Sequence, residues 1–240
     1  YYIIFCVIFN MKRLWLILFV FPIFAQGPLK YSIKFSESTQ SNMPVLFLMH
    51  GYGNNEKQFN ELIEALNNNF LIVSMRAPFS FMLTKNRWYE YSISNGDTLS
   101  NQAQINESIN KIIQTIELIK KEYNVDEQKI FIGGFSQGGI MSYKLALLYP
   151  NKFKGIFVHS GRLPVEYSIK EPNTLYKNLN ILIIHGSKDR GLSTKWAYQG
   201  KDLFEKLGAN TNYYEAQIGH KMNKETYGKI KQWLYTLKVK

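Results

Sequence analysis

The segments Val45-Leu46-Phe47-Leu48-Met49, Phe70-Leu71-Ile72-Val73 and Ile181-Leu182-Ile183-Ile184 are apolar at every position. A strand with one face in water alternates apolar and polar residues, so an unbroken run describes a strand buried on both faces. A largely parallel sheet covered by helices on both sides supplies that environment. Strands are therefore expected at 31–35, 45–49, 70–75, 130–133, 155–159, 181–185 and 212–215. Helical patterns fill the intervals. The clearest is 102–123, where Ile105, Ile109, Ile112, Ile116, Ile119 and Tyr123 step by four and three along one face. Others are 58–67, 138–149 before Pro150, 195–207 before Gly208, and 225–237. Strands alternating with helices predict an α/β, doubly wound sheet. With 45% hydrophobic residues the chain is too apolar for disorder, and 16 Gly and 7 Pro in 240 residues exclude collagen-like or low-complexity sequence.

The first 25 residues follow a different rule. Met11-Lys12-Arg13 precedes Leu14 to Phe24, eleven residues interrupted only by Pro22, and Ala25 follows. A basic start, a short apolar stretch and a small residue predict a secretory leader cleaved near Ala25, hence export to a periplasmic or extracellular space. Residues 1–10 then read as upstream of a start at Met11. As a helix, eleven residues reach roughly 16 Å against about 30 Å of hydrocarbon, and extension backwards would bury Lys12 and Arg13. No stable membrane span is expected after cleavage. Residues 26–240 are read as one domain, since no linker-like stretch divides them.

The leader holds Cys6, the only cysteine, so disulfides, Cys-ligated zinc and a Cys nucleophile are excluded from the remainder. It also takes Lys12 and Arg13 and no acidic residue, which lowers the net charge from +11 to +9. The lysines are scattered rather than striped with aromatics, so no nucleic-acid partner is expected. The four histidines fall in separate loops without a close-spaced pair, and no metal is expected.

The segment Ile130-Phe131-Ile132-Gly133-Gly134-Phe135-Ser136-Gln137-Gly138-Gly139 runs from an expected strand into an expected amphipathic helix through G-x-S-x-G. A serine on such a turn has a strained backbone and needs small neighbours, which Gly134 and Gly138 provide. The N-terminus of the following helix points its positive dipole end at the space above Ser136, where a negative oxygen would be stabilised. A serine hydroxyl needs a base, and the base needs an orienting carboxylate. With the order Ser, acid, His, the base must follow Ser136 and a strand-end Asp. Asp189 lies four residues past the 181–185 strand; Asp202, the other Asp in the interval, falls within a helix. His220 follows the last strand. Ser136, Asp189 and His220 are thus the expected catalytic set, and His50 is expected to be a structural residue at a turn. The oxyanion donors are expected to be the backbone N–H groups of Gln137 and of Tyr52, in His50-Gly51-Tyr52-Gly53.

These motifs, with Ser160-Gly161-Arg162-Leu163-Pro164 and Arg87-Trp88-Tyr89, resemble the phospholipase/carboxylesterase family of α/β-hydrolases, relatives of acyl-protein thioesterases. The resemblance covers nearly all of residues 29–240. It implies an α/β-hydrolase fold and a serine hydrolase acting on small carboxylic esters or thioesters without a cofactor, with Ser136, Asp189 and His220 as triad and Tyr52 and Gln137 as oxyanion donors. The sequence departs from the family after the acid, where Arg190-Gly191-Leu192-Ser193 replaces an apolar pair and proline.

Only 21 residues separate His159 from Ile181, too few for a multi-helix lid, so an open site for short- to medium-chain esters is expected. Phe79, Phe81, Met82, Leu83 and Trp88 form an apolar loop cluster near the strand ends. Phe79, Trp88 and Leu163 are the candidate acyl-pocket residues. Two other activities of the fold compete, sugar-ester deacetylation and peptide hydrolysis, the latter usually with a cap or extra domain. A silent binding protein on the same fold would lack a triad member, and none is missing.

Overall fold

The computed structural model describes residues 28–35, 42–66, 69–94, 97–164 and 174–239. The expected leader at 1–25, with Cys6, lies outside them. Seven strands form the central sheet: β1 (Tyr31–Lys34), β2 (Met43–Met49), β3 (Leu71–Met75), β8 (Val125–Phe135), β9 (Gly155–His159), β10 (Asn180–Gly186) and β11 (Asn210–Ala216), in the order β1-β3-β2-β8-β9-β10-β11. β1 pairs antiparallel with β3 at one edge, and every other pairing is parallel. The mostly parallel, helix-covered sheet expected from the unbroken apolar runs is present, in the α/β-hydrolase arrangement that the resemblance implies.

Those runs divide residue by residue between the two faces. Val45, Phe47, Met49, Ile181 and Ile183 point to a core shared with helices α2 (Gln102–Glu122), α3 (Gln137–Leu148) and α4 (Lys195–Lys206). Leu46, Leu48, Leu182 and Ile184 point to the opposite core, closed by α1 (Asn60–Ala65) and α5 (Lys224–Val239). α2 is amphipathic as expected, buries Ile105, Ile109, Ile112, Ile116 and Ile119, and begins where the Asn101 side chain accepts from the Gln104 N–H. α3 departs from expectation: it is buried from Gln137 through Leu147 rather than on one face, because it lies between the sheet and α2 and carries few polar residues.

Two elements were harder to read. β8 starts five residues before the expected strand, its early part disguised by Asp126, Glu127, Gln128 and Lys129, which form its solvent-facing end. The stretch after β3 is not a simple loop but two antiparallel ribbons, β4 (Phe79–Met82) with β5 (Lys85–Arg87), and β6 (Tyr91–Ser94) with β7 (Asp97–Ser100). Both lie over the C-terminal ends of the parallel strands, where ligands bind in open α/β sheets. Among the described residues, no helix is long and apolar enough to cross a membrane.

Candidate active site

The turn between β8 and α3 sets the geometry. Ser136 has φ 52° and ψ −115°, a conformation costly for a residue with a Cβ. It is held by its own N–H, which donates to His159 O at 2.9 Å, and by Ser136 O, which accepts from Ile140 N at 3.0 Å. The two motif glycines are required by contact: a Cβ on Gly134 would lie 2.4 Å from the Gly138 backbone, and one on Gly138 would lie 2.0 Å from Met49 O. β2, β8 and α3 therefore meet backbone to backbone beneath Ser136. The first N–H groups of α3 have no intrahelical acceptor and surround the space beside the hydroxyl.

His220 arrives on the loop after β11. Its Nε2 lies 2.9 Å from Ser136 Oγ and its Nδ1 lies 2.6 Å from Asp189 Oδ2. An ionised carboxylate only accepts, so Nδ1 carries the proton and Nε2 is free to accept from the serine hydroxyl. Asp189 follows β10, and its side chain is fully buried. The Gly191 and Leu192 N–H groups each donate to its Oδ1 at 2.8 Å. The residues that depart from the family pattern thus still anchor the acid. Burial pushes the Asp189 pKa up, but hydrogen bonds from Leu192, His220 and Gly191 outweigh it and hold the carboxyl below the usual range. The loops carrying acid and base are locked together, since a Cβ on Gly186 would lie 2.4 Å from Ile218 O. The structure therefore brings Ser136, Asp189 and His220 into one hydrogen-bonded chain. Asp202 sits in α4.

A second buried network fixes the other wall. Gln137 Oε1 accepts from Trp88 N at 2.8 Å, Gln137 Nε2 donates to Tyr89 O at 2.8 Å, and Trp88 Nε1 donates to His50 O at 2.8 Å. His50 is fully buried: Nδ1 donates to Gly51 O at 2.7 Å and Nε2 accepts from Ala77 N at 3.0 Å, so both ring nitrogens are committed to backbone. Burial is the main cause of its pKa being lowered to about 4. His50 is a turn-holding residue by geometry. Gln58 Oε1 takes the Gly51 N–H at 2.6 Å, and a Cβ on Gly51 would lie 3.4 Å from Ser136 Cβ. The backbone of the loop that carries Tyr52 thus lies against the serine turn.

Beside Ser136 lies a cleft of about 280 Å³ lined by Tyr52, Tyr89, Tyr91, Ile93, Thr98, Ser136, Gln137, Ile140, Arg162, Gly191, Leu192 and His220. This wall differs from the expected one. Trp88 is fully buried beneath it, Leu163 packs on the core, and Phe79 sits on β4 away from the cleft. The cluster has no common face: Phe79 and Phe81 share one side of β4 while Met82 takes the other, Trp88 lies past the end of β5 in the buried floor, and Leu163 follows β9. Met82 and Leu83 are exposed at the first ribbon's turn, while Phe81 packs on Tyr52. Tyr52, expected to matter only for its N–H, also lines the cleft with its ring. Tyr91, Ile93 and Thr98 were not expected; their signal in the sequence is Asn-Gly, the dipeptide that most favours a tight hairpin, between Tyr-Ser-Ile-Ser and Asp-Thr-Leu-Ser. Among the described residues, no group of three or more His, Cys, Asp or Glu could hold a metal ion.

The chain is 27% identical over 208 residues to an acyl-protein thioesterase 1 homolog of Dictyostelium discoideum, covering 82% of this chain and 91% of that protein. It is 30% identical over 142 residues to mouse lysophospholipase-like protein 1, covering 54% of this chain and 57% of the relative. The Bacillus cereus carboxylesterase shares the fold, with a TM-score of 0.75, 22% identity and coverage of 87% of this chain and 94% of that one. Residues 33–238 match the model of the phospholipase/carboxylesterase family, and the chain belongs to that family of serine hydrolases.

Proposed function

We propose that this chain hydrolyses short- to medium-chain carboxylic esters or thioesters through an acyl-enzyme on Ser136. The observation that carries the reading is the hydrogen-bonded chain from Ser136 Oγ through His220 to Asp189, at 2.9 and 2.6 Å. His220 Nε2 removes the hydroxyl proton as Oγ attacks the carbonyl, and Asp189 holds the ring and balances the imidazolium charge. The N–H groups of Gln137 and Tyr52 receive the tetrahedral oxygen, supported by the positive end of α3. His220 then protonates the leaving alcohol or thiol and later activates the water that releases the acid. The partner is the small ester or thioester itself, and no step calls on a cofactor. Similarity to a relative named as an acyl-protein thioesterase supports including thioesters.

The test is hydrolysis of p-nitrophenyl esters from acetate to laurate and of matched thioesters, by the native chain and by Ser136→Ala. Activity confined to the native chain, with an optimum at short to medium length, is expected. Turnover unchanged in Ser136→Ala would overturn the reading. We further propose export after cleavage near Ala25. Expression of the full sequence with mass analysis of the exported product is expected to find an N-terminus at Gln26, and an intracellular product retaining residues 11–25 would refute it.

A further inference from the structure

Arg162 follows β9 in the segment Ser160-Gly161-Arg162, is about nine-tenths buried, and lines the same cleft as Ser136 and His220. A guanidinium carries five N–H donors and a permanent charge. Among the described residues its only hydrogen bond runs from Nη2 to Ser100 Oγ, at a long 3.4 Å, and it makes no ion pair. None of the described cleft-lining residues is acidic, and the buried carboxylate of Asp189 is committed to Gly191, Leu192 and His220. A charge this buried is expensive to keep without a counter-charge, and that cost is recovered when an anion fills the site. The other walls are aromatic and aliphatic, from Tyr89, Tyr91, Ile93 and Ile140, and bind the uncharged body of a substrate.

We propose that Arg162 is a specificity-determining residue that binds a carboxylate carried by the substrate, so that this enzyme prefers anionic esters over neutral ones of the same length. The inference rests on the esterase reading above and sharpens it. Ester carbonyl and carboxylate must both fit one cleft of about 280 Å³, which points to small half-esters of dicarboxylic acids or acylated hydroxy acids. The planar fork matches a carboxylate through two parallel hydrogen bonds, a match that a lysine ammonium does not offer.

The experiment compares kcat/KM for p-nitrophenyl hemiglutarate against p-nitrophenyl valerate, with the anion on the acyl side. It also compares 4-acetoxybutyrate against butyl acetate by pH-stat, with the anion on the alcohol side. In the native chain one of the two anionic esters is expected to exceed its neutral partner on the order of 10- to 100-fold. The ratio collapses in Arg162→Leu and is partly restored in Arg162→Lys; being a ratio, it is insensitive to a general loss of activity. Should Arg162→Leu not fold, the native chain still answers through inhibition of valerate ester hydrolysis, with glutarate expected to inhibit and glutaramide not. Neutral esters hydrolysed through Ser136 with no anionic preference, or a preference that survives in Arg162→Leu, would overturn this proposal while leaving the esterase reading intact. No Ser136-dependent hydrolysis of any ester would instead remove the esterase reading and this proposal with it.

Discussion

The floor and the rim of this cleft are built on opposite principles. The floor is the β8–α3 turn with its supports, where Trp88, His50 and Gln137 are buried and their polar atoms bond to backbone. The rim is the pair of two-stranded ribbons, where Met82, Leu83, Tyr91, Ile93 and Leu99 stand largely in solvent. On the floor each residue is constrained by several neighbours at once, and a substitution breaks stability and chemistry together. On the rim few contacts depend on any one side chain, so substitutions there reshape the cleft without undermining the sheet.

The largest expected effect removes the chemistry and leaves the fold. Ser136→Ala is expected to lower kcat on the order of 10⁶-fold, the scale seen when a triad nucleophile is removed from other serine hydrolases, with an unchanged circular dichroism spectrum and melting temperature within a few degrees. A parallel loss of fold would mean the hydroxyl itself supports the turn.

The next effect is on stability and comes from pH. His50 titrates at about 4 in the folded chain against 6.5 for an ordinary imidazole, so between those values the unfolded state binds more protons. Stability is then complete above about pH 6.5 and falls as pH drops towards 4, by roughly 3 kcal/mol from this group. His159, lowered to about 3 mainly by burial, acts in the same direction. Urea denaturation at pH 7 and pH 4.5 measures the loss, and His50→Asn should flatten the dependence. A midpoint independent of pH over that range would contradict a neutral, fully engaged His50.

Smaller again is Gln137→Leu, which leaves the buried Trp88 N–H without its acceptor and should cost about 1–3 kcal/mol in denaturant titration. Last comes the rim. Ile93→Ala, at a side chain 71% exposed, should shift stability by less than about 0.5 kcal/mol while raising KM for the longer esters several-fold. A large stability loss there would erase the distinction between floor and rim.

The same division decides what could be read in the sequence. Floor residues carry strong local signatures: Gly134 and Gly138 flank Ser136 because backbones touch, and apolar runs such as 45–49 are unbroken because both faces are covered. Ser136, Asp189 and His220 were readable because chain order and strand ends leave few choices. The cleft wall was not. Phe79, Trp88 and Leu163 looked like pocket residues by apolar character, but that character suits a core position equally well: Trp88 is fully buried and Leu163 packs on the core, while the side that Phe79 takes depends on the register of its ribbon. Asn95-Gly96 did announce the second ribbon, whereas the first turns at Leu83-Thr84 without a glycine or proline to mark it. Arg162 belongs to the segment Ser160–Pro164, whose sequence does not say which way the side chain turns; its burial in the cleft wall with Ser136 gives it meaning.

The backbone contact of Gly138 on Met49 O has a consequence in time as well as in space. Elements that touch through main chain have no side-chain cushion to rearrange, so the helix cannot lift from β2 by degrees. The hydrogen-bonded amides of the β8–α3 turn, Ser136 N–H on His159 O and Ile140 N–H on Ser136 O, should therefore exchange with deuterium only when the whole domain opens, while those of β4 to β7 exchange through local fraying that costs far less. The nucleophile would then keep one clock and the substrate-facing ribbons a much faster one, and catalysis would take place where the two meet.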